Sequence, residues 1–187
     1  MTTTTETTTE PTMKLLVTTE IPLKRVADLL CTAFEGGGVG YWCRIVKQVK
    51  PRGGGPETWA LRAFADDKGT KGTVYPHIEY VPNGGMLYLA EDDDDLRALE
   101  DSYDAYRRDA DEHRQGAEPD PVQDIVEWLE EGSVTVWKLD LDACKRGLQV
   151  MAEEYPRHFA DFMSENEDAE TADVWLQCCL FGEVVYG

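Results

Sequence analysis

The stretch FEGGGVGYW, Phe34 to Trp42, holds four of the chain's sixteen glycines and ends in two adjacent aromatics. Its reading decides the fold, because glycine-rich loops serve two opposite geometries. A phosphate-cradling loop leaves a strand and enters the N-terminus of a helix, where free N–H groups and the positive end of the helix dipole meet an anion. Here the polarity is reversed. Just upstream, Val26, Leu29, Leu30, Ala33 and Phe34 recur at spacings of three and four, with Lys24, Arg25 and Asp28 opposite, and Pro22 suits a first helical turn. The glycines therefore leave a helix C-terminus, where free carbonyls carry partial negative charge. GGGVG does not fit GxGxxG, and no Lys-Ser or Lys-Thr follows it. The stretch predicts a helix-to-strand turn, with Gly36 in the left-handed position that ends the helix.

Tyr41 and Trp42 are not explained by a turn alone. On a strand, neighbours point to opposite faces, so one ring packs under the helix and the other faces outward. Either the two are core and rim, or Gly36, Gly37, Tyr41, Trp42 and Arg44 form the floor of a pocket.

Working outward, MKLLVTT at 13–19 reads as a short strand or lead-in, and GYWCRIVKQVK at 40–50 as a strand. PRGGGP is a loop, TWALRAFA a second strand, and TVYPHIEYV and GGMLYLAE the arms of a hairpin joined through PNGG. SVTVWKLD predicts another strand. Asp140 is placed to cap a helix in which Leu141, Cys144, Leu148, Met151 and Tyr155 recur at three or four; Pro156 breaks it, and RHFADFMSE adds another turn or two. TADVWLQCCLFG is apolar on most faces, which predicts a buried helix stopped by Gly182. The order of elements gives an α+β domain: a small, mainly antiparallel sheet with three or more helices packed on one face. Residues 1–12, MTTTTETTTEPT, read as a disordered Thr-rich tail without a secretory signal's basic and hydrophobic regions, and 13–187 as a single domain.

Charge is strongly segregated. Residues 1–90 carry nine acids and ten bases, a balance of +1, whereas 91–187 carry twenty-eight acids and eight bases, a balance of −20. Within the second half, residues 91–131 alone hold seventeen acids against four bases. Such a surface repels nucleic acid and anionic membranes and attracts basic protein surfaces. The insert at about 91–121 is either helical or disordered. As a helix it would be capped by Asp92 to Asp95 and carry a thin apolar stripe of Leu96, Leu99, Tyr103 and Tyr106.

EGG-x-x-x-YWC at 35–43, MAEEYPRHFADFMSENEDAETADVWLQ at 151–177 and the closing LFGEVVYG resemble small proteins of unknown function encoded by bacteriophages and mobile elements. The resemblance covers roughly 13–50 and 134–187, and leaves the acidic insert outside. It implies a context, the host cytoplasm, and no mechanism.

Catalytic chemistry finds little support. His77, His113 and His158 are the only histidines, and no GxSxG or Cys-His signature accompanies them. The five cysteines form no CxxC pair and sit in apolar segments, as small hydrophobes in a reducing compartment do. Four contiguous aspartates fan out around a helix and lack the spaced oxygens and central glycine of a calcium loop, so no metal or cofactor is expected. No apolar run is long enough to span a bilayer.

Binding is the remaining class, in two versions. In the first, Asp92, Asp93, Asp94, Asp95, Glu100, Asp101, Asp104, Asp109, Asp111 and Glu112 display a phosphate-like charge array to the basic surface of a host protein, inhibiting host defence or nucleic-acid machinery. In the second, Tyr41, Trp42 and the basic residues Arg44, Lys47, Lys50 and Arg52 hold a small anion such as a nucleotide, although alternation along a strand puts Arg44 and Lys47 on different faces. A hydrolase of unknown type is a third alternative.

Overall fold

The computed structural model describes residues 18–49, 51, 58–59, 76–98, 101, 129, 131 and 134–187. Within them the order is α1 (Leu23–Phe34), β1 (Cys43–Val49), β2 (Thr58–Trp59), a helical turn α2 (Pro76–Glu79), β3 (Met86–Glu91), β4 (Val136–Leu139), α3 (Leu141–Glu154), α4 (Pro156–Met163) and α5 (Ala169–Leu180). The strands form one antiparallel sheet in the order β2-β1-β3-β4. This is the α+β architecture that the periodicities predict.

α1 buries Val26, Leu29, Leu30 and Ala33, the stripe read from spacing. The turn after it differs in detail. Gly37, at φ +77°, takes the left-handed position, while the Gly36 N–H bonds back to the carbonyls of Cys31 and Thr32. A Cβ at Gly36 would sit 2.4 Å from the Thr32 carbonyl oxygen, so this glycine serves close approach instead of chirality.

The predicted hairpin arm TVYPHIEYV is not seen as a strand. Residues 73–75 lie outside the described residues, and Pro76 opens the turn α2. Its missing N–H is harmless at a first helical position. The chain leaves through a Schellman closure, with Gly85 N–H on the Tyr80 carbonyl and Gly84 N–H on that of Val81. β3 pairs with β1 and β4 instead. Of the expected lead-in strand only Thr18 and Thr19 are described, and they are not in one. TWALRAFA is described only at Thr58 and Trp59.

Asp140 caps α3, accepting from the Ala143 N–H at 2.9 Å, and Lys138 Nζ approaches it at 2.8 Å. Pro156 divides α3 from α4. α5 is buried from Thr171 to Cys179 on all sides. It packs on α1, on β4 and on α3, where Gly147 faces Cys179. Arg25 ties α1 to the end of α4: its guanidinium donates to the Phe162 carbonyl and pairs with Glu167 at 2.7 Å.

Register assigns the two faces of the sheet. Cys43, Ile45 and Gln48 stand opposite Glu91, Leu89 and Leu87, and this face meets the helices. Ile45 faces Leu89 and Lys47 faces Tyr88, which leaves Val46 as the extra residue of a bulge. One inserted residue restores the phase: Arg44, opposite Ala90, and Lys47, opposite Tyr88, share the second face. Simple alternation put them on different faces, and the bulge overturns that expectation.

The second face carries its own small core. Val46, Ala90, Leu96, Leu129 and Val134 are all buried there, with Tyr88 and Val136 packed against them. Leu96 and Leu129 come from the two ends of the acidic segment. No helix among the described residues is long and apolar enough to cross a membrane.

Candidate functional site

Two places bring predicted site residues together: the start of the acidic segment, and the aromatic cluster beside the glycine turn.

Acidic residues begin where β3 ends. The Asp92 N–H bonds to the Trp42 carbonyl, which continues the sheet by one rung. Its carboxylate is turned inward, with a side chain 8% exposed. Arg44 Nε approaches at 2.9 Å and Arg97 at 3.2 Å. Asp92 is thus committed to two arginines, whereas Asp93, Asp94 and Asp95 are exposed. Asp93 caps a helical turn at 94–98 by accepting from the Leu96 N–H at 2.8 Å. Three carboxylates at the positive end of a helical turn are favoured there by the free N–H groups. Leu96 then turns back into the second-face core at 0% exposure. Asp101 is exposed and helical, and Glu131, near the other end of the segment, is exposed too. Glu100, Asp104, Asp109, Asp111 and Glu112 lie outside the described residues, as do Leu99, Tyr103 and Tyr106 of the expected stripe.

The aromatic cluster is organised by a residue that the sequence reading passed over. Asp173, on α5, accepts from Trp42 Nε1 at 2.8 Å, from Tyr41 Oη at 2.9 Å and from Gln177 Nε2 at 3.1 Å. Tyr41 and Trp42 occupy a turn before β1, so strand alternation does not apply and both polar tips reach one carboxylate. Tyr41 is 57% exposed, while Trp42 is buried. Partial burial, the hydrogen bond to Asp173 and that carboxylate's charge push the Tyr41 phenol up to about 12. The Trp42 ring is covered by Tyr186, at a centroid distance of 4.8 Å with planes 10° apart, and by Phe181 at 5.7 Å. Gly36 and Gly37 are exposed beside this cluster, and Arg44 is half-buried on the opposite face of the sheet, against Asp92.

A clue to Asp173 and Gln177 was present in the sequence. Polar residues four apart in a helix apolar on every face must be buried, and buried polar groups are bonded. Their partners, however, were not readable from spacing.

Three of the five thiols, Cys43, Cys178 and Cys179, are shifted away from thiolate. Burial, then the charges of Asp173 and Asp92, pushes Cys43 well up, and burial brings Cys178 to about 11. Burial and contact with the Cys144 thiol raise Cys179 as well. Reactive cysteine needs the opposite shift, toward thiolate. His158 Nδ1 lies 3.2 Å from the hydroxyl of Thr171, which is itself 1% exposed. Among the described residues no group of three His, Cys, Asp or Glu side chains is placed to hold a metal ion.

Compared with known protein families, with curated proteins and with solved structures, the chain matches none.

Proposed function

We propose that this protein acts by binding, and that its acidic segment is the working surface. Asp93, Asp94, Asp95 and Asp101, together with Glu100, Asp104, Asp109, Asp111 and Glu112, engage a basic protein surface of the kind that grips nucleic-acid phosphates. The observation that carries this reading is the anchoring of the segment at both ends. Leu96 and Leu129 are fully buried on one sheet face, which fixes the neighbouring exposed carboxylates Asp93, Asp94, Asp95 and Glu131 beside a packed support. A charge array on a support loses less entropy on binding than the same charges on a free chain. The resemblance to bacteriophage-encoded proteins adds the context of an accessory protein that blocks host defence or nucleic-acid machinery.

The alternative, a nucleotide held by the aromatic and basic strand, is less well supported. Tyr186 already covers the Trp42 face, and Arg44 is paired with Asp92. Base stacking and phosphate pairing would both have to displace existing contacts.

The test replaces Asp93, Asp94, Asp95 and Asp101 with asparagine and compares capture of a partner from bacterial lysate. The parent protein should capture a partner that salt and added duplex DNA both release, since displaced counterions drive such contacts. Capture by the neutralised protein of the same partner, with the same salt dependence, would sink the reading.

A further inference from the structure

Two of the free cysteines meet across the contact of α3 and α5. Cys144, on α3, is fully buried, and Cys179, near the end of α5, is nearly so. Their thiols are in hydrogen-bonding contact. Gly147, one turn beyond Cys144 on the same side of α3, makes the approach possible. A Cβ there would stand 2.3 Å from Cys179 Sγ and 2.9 Å from Cys179 Cα, so the two backbones touch at this crossing. Disulfides join residues whose Cα atoms lie within about 7 Å, a condition that backbone contact one turn away favours. Cys178, the neighbour in the chain, points about 100° away around α5. Burial, then the contact with Cys144, pushes the Cys179 thiol away from thiolate. A disulfide carries no charge, so closing one leaves nothing unsolvated in this core.

We propose that Cys144 and Cys179 form a redox-sensitive lock: oxidation joins α3 to α5 through a disulfide, and a reducing thiol releases them. The step balances with a two-electron oxidant of the peroxide or diazene class. Each thiol gives up a proton and an electron, and the S–S bond forms. A peroxide O–O bond breaks to yield two waters, or a diazene N=N bond takes up two hydrogens to yield a hydrazine. The attacking thiolate is disfavoured in the closed core, so it arises through local opening and the lock closes more slowly than exposed thiols would. The bond closes a loop from residue 144 to residue 179, and a loop of that length strongly constrains the unfolded chain. It holds in place the helix that presents Asp173 to Tyr41 and Trp42. The lock is separate from the acidic segment and does not depend on that segment's role.

The experiment treats the full chain with diamide under native conditions, alkylates the remaining thiols and maps tryptic peptides by mass spectrometry. Trypsin releases Cys144 in residues 139–145, and Cys178 with Cys179 in 158–187. The expected product is these two peptides joined with the loss of two hydrogens, and fragment ions between the adjacent cysteines should assign the link to Cys179. This link should outnumber every other cysteine pairing by at least about tenfold. Oxidation should raise Tm by at least about 5 °C, a shift that dithiothreitol reverses and that Cys144→Ser lacks. A native protein that forms no such link, that pairs Cys144 indiscriminately, or that gains no thermal stability from the link overturns the proposal. Should Cys144→Ser fail to fold, the peptide map and the reversible Tm shift of the unaltered protein decide alone.

Discussion

Replacing Gly147 with alanine should destabilise the protein, although helix propensity alone forecasts the reverse. Gly147 is in the middle of α3, where alanine is favoured by about 1 kcal/mol. An alanine Cβ at this position would lie 2.3 Å from Cys179 Sγ, 2.8 Å from Cys179 N and 2.9 Å from Cys179 Cα. Carbon contacts relax at about 3.5–4.0 Å, so α3 and α5 would have to part by on the order of 1 Å. Two of the three obstructing atoms are backbone and cannot rotate away. Overpacking of a tight core costs about 1–3 kcal/mol, and the upper end applies where helices must separate. Offsetting the propensity gain leaves a net loss of about 2 kcal/mol. For a chain of 187 residues that corresponds to a fall in Tm of roughly 4–8 °C. Urea unfolding followed by the fluorescence of the five tryptophans, Trp175 on α5 being fully buried, reads the change. Adding Cys179→Ala removes the sulfur contact and keeps the two backbone ones. The double-mutant cycle should therefore show favourable coupling of about 1 kcal/mol and only partial recovery. Stability equal to or above the parent's would refute the close approach of α3 and α5 on which this reasoning rests.

The buried carboxylate of Asp173 supports a second prediction. Asp173→Ala strands the Trp42 and Gln177 donors and should cost about 3 kcal/mol in urea unfolding. In Asp173→Asn, ultraviolet titration should find the Tyr41 phenol falling from about 12 toward its ordinary 10.0, with loss of the carboxylate charge. At the start of α5, hydrogen bonds from the Thr171 N–H and hydroxyl hold the Asp168 carboxyl below its ordinary 3.8. With the folded value depressed, the cap's contribution is complete above the unfolded value and is lost as pH falls through the lower, folded one. Stability should thus decline below about pH 4, and Asp168→Asn, which still caps, should remove this part of the decline in acid titration monitored by circular dichroism. Leu96→Ala should cost about 3 kcal/mol by opening a cavity in the second-face core, and should loosen the start of the acidic segment, measurable as faster proteolysis after residue 91. Unchanged stability there would remove the anchoring argument.

Much of the architecture was legible in the sequence because it is local. Val26, Leu29, Leu30 and Ala33 mark one face of a helix at any location in a fold, Asp140 caps α3 three residues from its partner, and Pro156, which no helix interior accepts, ends α3 and opens α4. The direction of the glycine turn, out of a helix and not into one, followed from the same short-range rules. Tertiary structure decided whatever depends on contacts between distant segments. Whether Gly36 or Gly37 turned left-handed hinged on how closely the chain doubles back on Thr32. A single bulge at Val46, invisible to a period-two pattern, moved Arg44 and Lys47 onto one face. Asp173 meets Tyr41 and Trp42 across 132 and 131 residues of chain, and no spacing rule reaches that far. Periodicity reports which side of an element is apolar; only packing reports what is opposite it, and so the carboxylate at the heart of the aromatic cluster and the Tyr186 ring over Trp42 came from the fold.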